Sequence, residues 1–167
     1  MTNTTRALLL LMVLALAACG FHMRGSNLKD VQFSFKSLYL KAPSESPFVS
    51  DLRRILKANK IELTATADKA DLVLDVVESI PPKQILSLSG SGRVQEYQLF
   101  YNVSLRAYDN QQNDWLPAEE ISLSRILTYD DTQILAKEQE EALLYKDMRS
   151  DAVGQAVRRL FRAKLQQ

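Results

Sequence analysis

Val94-Gln95-Glu96-Tyr97-Gln98-Leu99-Phe100-Tyr101-Asn102-Val103-Ser104-Leu105-Arg106-Ala107-Tyr108 decides the fold. Tyr97, Leu99, Tyr101, Val103, Leu105 and Ala107 fall on one face, and Glu96, Gln98, Asn102, Ser104 and Arg106 on the other. A period of two marks a strand with one face in a core and the other in water. At ~3.3 Å per residue the run spans ~50 Å, far beyond an ordinary strand, so it is expected to form a hairpin that reaches past the body of the fold.

On its N-terminal side lies Ser89-Gly90-Ser91-Gly92, small and free to adopt positive φ, which suits a hairpin tip. Lys83 to Leu88 is the partner strand, and Pro81-Pro82 separates it at a changed angle from an earlier strand, Leu72 to Val77. Before that, Ser37 to Lys41 places Leu38 and Leu40 on one strand face, and Ile61 to Leu63 fits a short edge strand. Between them Ser46 can cap a helix, Pro47 suits its first turn, Phe48, Val49, Leu52, Ile55 and Leu56 form its apolar stripe, and Asn59 can stop it. Strand, helix and strand predict a β-α-β unit with a right-handed crossover.

On the C-terminal side Asp109 to Asp114 is a polar turn, after which Ile121, Leu123, Leu127 and Tyr129 alternate along a further strand. From Thr132 the spacing becomes helical, with Leu135, Ala142, Tyr145, Met148, Ala152, Ala156, Leu160 and Phe161 approximating a stripe. Asp130 and Asp131 stand at its start. Arg158, Arg159, Arg162 and Lys164 stand at its end, where complementing the helix dipole is a simpler role than binding an anion. The predicted class is α+β: a two-layer sandwich, two helices on one face of a mostly antiparallel sheet of about four strands, in the order β-α-β-β-β-α.

The start of the chain fixes its location. Residues 1–18 combine a short polar segment carrying Arg6 with an uncharged apolar run, the layout of a secretory signal too short to span a bilayer. Leu16-Ala17-Ala18-Cys19 reads as a lipobox, in which Cys19 receives an S-diacylglycerol, becomes the new N-terminus and is N-acylated. Three acyl chains make a durable anchor, since one alone holds only marginally. Gly20 stands where an Asp would retain such a protein in the inner membrane, so the expected place is the outer membrane, facing the periplasm. In the adjoining tether, Phe21 and Met23 can dip into the interface and Arg24 can meet lipid phosphate.

Of the 167 residues, 149 remain after the signal, which fits a single domain over 19–167. Arg6 is the signal's one charge, leaving 20 basic against 20 acidic side chains, a balance that argues against nucleic acid. Cys19 is the sole cysteine and His22 the sole histidine. A histidine metal cluster and a Cys-His nucleophile with a free thiol are thereby excluded. No catalytic residue, metal or cofactor beyond the covalent lipid is expected.

Cys19-Gly20-Phe21-His22-Met23-Arg24 resembles the opening of mature chains in the LptE (RlpB) family of lipopolysaccharide-assembly lipoproteins, which start Cys-Gly-aromatic-His-apolar-Arg. Glu96-Tyr97-Gln98 and Leu135-Ala136-Lys137 are similar to segments at corresponding places in that family. At the hairpin tip, where family members carry a basic residue, this chain has Ser-Gly-Ser-Gly, and Arg93 is the nearest cation. The resemblance implies two helices against a four-stranded sheet. It also implies a non-enzymatic partner of the outer-membrane β-barrel LptD, which helps lipopolysaccharide reach the outer leaflet. The long hairpin directs barrel contact to Ser91, Gln95 and Tyr97. Arg93 and Lys137, expected at the same end, are the candidates for lipid A phosphates. Against that role, Arg93 can be a solvated turn residue and Lys137 can pair with Glu141 at i,i+4 spacing. The other functional reading is a free-standing periplasm-facing lipoprotein module that binds a lipid or cell-wall ligand without an obligate barrel.

Mass spectrometry of the mature N-terminus tests the anchor: Cys19 is expected to be acylated and Cys19→Ala to abolish the modification. An unmodified Cys19 in the mature protein contradicts the lipobox reading.

Overall fold

A computed structural model describes residues 33–163; the signal, Cys19, Phe21, Met23, Arg24 and Lys164 lie outside the described residues. The elements in order are β1 (Ser37–Lys41), α1 (Pro47–Ala58), β2 (Glu62–Leu63), a 3-10 turn (Ala67–Lys69), β3 (Leu72–Ser79), β4 (Gln84–Leu88), β5 (Val94–Tyr108), β6 (Asp114–Thr128) and α2 (Ile134–Arg162).

All six strands join one sheet. β1 runs parallel to β2 on one side and to β3 on the other. β5 is antiparallel to each of its partners: β3 covers Asn102–Tyr108, β4 covers Val94–Gln98, and β6 pairs along almost its full length. Because β6 holds one edge of β5, β3 and β4 share the other, end to end. The Pro81-Pro82 break divides what would be one long strand, since proline supplies no ladder N–H. That break and the two-residue β2 raise the strand count from the expected four to six.

β6 starts at Asp114, well before the residues whose alternation predicted it. Leu105 lies opposite Glu119 but Ala107 opposite Leu116, so the strand carries an extra residue around Pro117. Such a bulge inverts the parity of inward positions, which lets Leu116 and Ile121 both be buried and hides the period of two. Tyr129, expected in this strand, lies just past it and donates its N–H to Gln95 O at 2.8 Å.

α1 forms as its sequence dictates. Ser46 Oγ accepts the Val49 N–H at 3.3 Å, and Pro47 takes the first turn. Phe48, Val49, Leu52 and Leu56 are buried. Asn59 closes the helix, with Nδ2 donating to Ile55 O at 2.9 Å. Both helices pack on the face of the sheet lined by Leu38, Leu72, Leu74, Val76 and the odd-numbered residues from Leu99 to Ala107. Arg149 of α2 donates to Asp51 of α1 at 3.1 Å. At the end of this face the Tyr101 hydroxyl donates to Glu78. Burial, reinforced by that hydrogen bond, pushes the Tyr101 phenol well above its ordinary pKa and keeps it a donor.

α2 departs from its predicted stripe. Its buried residues begin only at Met148 and continue through Ala152, Val153, Ala156, Val157 and Leu160. Leu135 is 75% exposed and Phe161 42%, and Ala142 is exposed too. β3, the last strand of the packed body, ends where Ser79 meets Asn102. The first turns of α2 run past that point alongside the hairpin, so their apolar residues have little to pack against.

Urea denaturation separates the two regions. Leu105→Ala is expected to cost about 2–5 kcal/mol, the range for a fully buried leucine, and Leu135→Ala less than about 0.5 kcal/mol. Equal losses would contradict this placement of the core.

Candidate functional site at the hairpin end

The tip of the β4–β5 hairpin is a turn over Ser89–Gly92, in which Gly92 N donates to Ser89 O at 2.9 Å and Gly92 takes φ 78°. A side chain at Gly92 would be strained by that angle alone. Ser89 Oγ accepts the Arg93 N–H at 3.1 Å and lies 2.9 Å from Ser91 Oγ. The Tyr129 N–H bonded to Gln95 O brings the end of β6, and hence the start of α2, back to this tip.

Ser91, Arg93 and Gln95 are exposed on the hairpin, whereas Tyr97 is half-buried and already engaged. Its ring meets Tyr129 edge-on, with centroids 5.3 Å apart, and carries Lys83 Nζ 4.8 Å from its centre. Arg93 and Lys137 are at the same end, as expected, but each has a carboxylate partner. Arg93 Nη1 is 3.5 Å from Asp131 Oδ2, with its side chain 72% exposed. Lys137 Nζ is 2.8 Å from Glu140, not the expected Glu141, and its side chain is only 17% exposed. Glu141 is taken instead by Lys83, at 2.6 Å across the gap between α2 and β4. The i,i+4 partner was lost to a cation distant in sequence.

From the sequence, Lys83 is only the start of a strand, Tyr129 and Tyr145 are only positions of apolar stripes and Glu141 is only a partner for Lys137; none of the four is assigned to the site. The signal that could place Glu141 and Tyr145 together is their one-turn spacing, which puts both on one helix face. Lys83, Glu138, Glu141, Ala142 and Tyr145 line an open hollow of about 420 Å³ beneath the first turns of α2. The Glu141 carboxylate beside Lys83 raises the lysine above its usual pKa, so its ammonium persists through neutral pH. Among the described residues no group of His, Cys, Asp or Glu side chains is placed to hold a metal.

Eight of the ten exposed large apolar side chains among the described residues lie at this end, including Ile85, Leu86 and Leu88 on β4, Ile126 on β6 and Leu135 and Leu143 on α2. Concentration of apolar surface at one end is what an interaction surface shows, because scattered single residues need no explanation. The described segments 83–97 and 129–141 carry three cations, each paired, and six carboxylates. An incoming phosphate must therefore displace a carboxylate, and the long Arg93–Asp131 pair is the one most readily opened.

The turn into α2 depends on Asp130, whose Oδ1 accepts the Thr132 N–H at 2.9 Å and the Thr132 hydroxyl at 2.8 Å. These bonds, the backbone one foremost, hold its carboxyl below the ordinary aspartate range. A depressed pKa means the support is complete above the ordinary value and is lost as pH falls through the folded one. An NMR titration is expected to give Asp130 a midpoint below ~3.9, with the Thr132 amide shift following the same curve. A midpoint at or above that value would contradict the turn geometry.

Comparison with known proteins agrees with both fold and sequence. A family model described as LptE, Lipopolysaccharide-assembly, matches residues 29–160. The LPS-assembly lipoprotein LptE of Pectobacterium atrosepticum is 28% identical over 156 residues, covering 90% of this chain and 80% of that protein. The protein of the same name from Photorhabdus laumondii is 27% identical over 154 residues, covering 92% and 82%. A solution structure of lipoprotein B from Nitrosomonas europaea superposes with a TM-score of 0.68 at 39% identity, covering 83% of this chain and 88% of that one. The crystal structure of rare lipoprotein B from Shewanella oneidensis gives 0.64 at 27% identity, covering 73% and 91%. The family match spans the whole sheet and nearly all of α2, and the chain belongs to the LptE family of lipopolysaccharide-assembly proteins.

Proposed function

We propose that this chain is a non-enzymatic lipoprotein of the outer membrane, anchored through Cys19 with its single domain facing the periplasm. It forms a complex with an LptD-type β-barrel and assists lipopolysaccharide on its way to the outer leaflet. The observation that carries this reading is the hairpin end, where a strand of 15 residues, an overhanging helix start and most of the exposed apolar side chains come together. A surface of that kind suits a partner that encloses it, and a large barrel offers a polar lumen to the open sheet face and the tip. Ser91 and Gln95 are the outward residues of the tip region. Tyr97 acts from behind them, fixing the hairpin against Tyr129 and Lys83. Arg93 and Lys137 meet lipid A phosphates by exchanging Asp131 and Glu140 for the ligand, Arg93 first because it is open and loosely paired.

Photocrosslinkers at Ser91 and Gln95 in living cells are expected to capture an integral β-barrel. Crosslinks to soluble proteins alone, with the barrel present, would contradict the partnership. The double variant Arg93→Asp, Lys137→Asp is expected to reduce lipopolysaccharide binding roughly tenfold or more, with the loss greatest at low salt, and to leave barrel co-purification intact. Unchanged binding by the folded double variant would remove these two residues from the contact.

A further inference from the structure

The outer edge of β6 is open: among the described residues this strand pairs only with β5. The direction of its backbone groups follows from the ladder. In an antiparallel pair, successive residues turn their N–H and C=O groups to opposite sides. Tyr129 donates to Gln95 O, so the odd-numbered residues from Ile121 to Leu127 face β5. Glu120, Ser122, Ser124, Ile126 and Thr128 therefore turn theirs outward, and all five are exposed. Two arginines agree with that direction: Arg159 Nη1 donates to Glu120 O at 3.1 Å and Arg125 Nη1 to Ser124 O at 2.9 Å.

Arginines over edge carbonyls are one way in which a fold guards against unwanted pairing. That account covers only part of the edge. Arginine has donors alone, so it satisfies a carbonyl and never an N–H. None of the five outward N–H groups has a partner among the described residues. Pro117 and the bulge beside it would also discourage pairing, but both precede Glu120, and the register from Glu119 to Thr128 is unbroken. The other open edges are shorter: β2 has two residues, and β4 has five with two register shifts.

Ser122 to Thr128 lies opposite Asn102 to Glu96, and β3 ends at Asn102. The unguarded stretch thus belongs to the overhanging half of the molecule. It carries Ile126, 55% exposed, and so continues the surface assigned above to the barrel partner. The wall strands of a closed barrel have both edges paired, so only an extended loop or terminal segment of that protein has backbone groups to spare. Laid along β6, such a segment sets alternate side chains beside Ser124 and Ile126 on the open face and beside Leu123 and Arg125 on the helix face. Arg125 now holds Asp151 at 2.7 Å in a partly exposed pair, which an incoming carboxylate replaces at little cost.

We propose that the edge of β6 from Ser122 to Thr128 receives an extended segment of the barrel protein as an added strand, with an apolar side chain beside Ile126 and a carboxylate opposite Arg125. Main-chain hydrogen bonds supply the affinity of such a contact and the alternating side chains its specificity. The proposal rests on the barrel partnership and names the backbone contact through which it is made.

The test uses the full-length chain, tagged and purified from cells with whatever barrel it carries. Ser124→Pro removes an outward N–H and sets a ring on the edge, yet breaks no bond to β5. Ser124→Ala keeps the N–H and is the control. Ser124→Pro is expected to recover roughly tenfold less barrel than Ser124→Ala, with the melting curve by circular dichroism nearly unchanged. In the wild type, hydrogen exchange followed by mass spectrometry is expected to slow at Ser122, Ser124, Ile126 and Thr128 in the complex relative to the free chain. That comparison decides the matter should Ser124→Pro not fold. Full barrel recovery by the folded Ser124→Pro variant, or unchanged exchange over 120–128, would overturn the proposal while leaving the partnership intact. No barrel recovered with the wild type would sink the partnership and the proposal together. A free chain that sediments as a dimer, and as a monomer once it carries Ser124→Pro, would give the edge to a second copy and overturn the proposal as well.

Discussion

The molecule depends on the pairing of β5 along both its edges. Fifteen consecutive residues take β6 on one side and β3 and then β4 on the other, and no other strand has partners of that extent. Because the side-chain period of a strand is two, a slip of one residue would turn Leu99, Tyr101, Val103, Leu105 and Ala107 out of the core together. The buried face therefore locks the register, and the register carries the hairpin tip to a fixed place beyond the packed body. Length that adds nothing to the core is tolerated because the half that does enter the core is so thoroughly buried.

This arrangement divides the molecule by energetics as well as by shape. At the end opposite the hairpin, helices, sheet and buried side chains coincide. At the hairpin end, strands and helix continue after the core has finished, held by polar and aromatic links such as Lys83 to Glu141 and Tyr97 to Tyr129. Partly exposed ion pairs contribute little to stability, on the order of 0–1 kcal/mol each, so they can be exchanged for a partner at small cost. Surface without a core of its own suits a segment whose packing is completed by another molecule.

Much of the fold was legible because local chemistry and global placement agree in β5, in α1 with its Ser46 cap and Asn59 stop, and at the Pro81-Pro82 break. Two features were hidden for definable reasons. The bulge near Pro117 shifts the parity of inward residues, so β6 looked shorter than it is. The start of α2 keeps helical spacing whether or not anything covers it, so Leu135 was assigned to a stripe that begins only at Met148. For the candidate site, the placement of Arg93 and Lys137 at one end followed from counting strand reversals. Their partners did not, because Lys137 meets Glu140 while Glu141 pairs with Lys83, which lies just before β4.

Native-state hydrogen exchange tests most directly whether the hairpin end is an extension without a core. The amides of Leu99 to Ala107 are expected to exchange only through global unfolding. Those of Ile85 to Leu88 and of Lys137 to Asp147 are expected to exchange through local opening of much lower free energy. Equal protection of all three segments in the isolated protein would contradict the account.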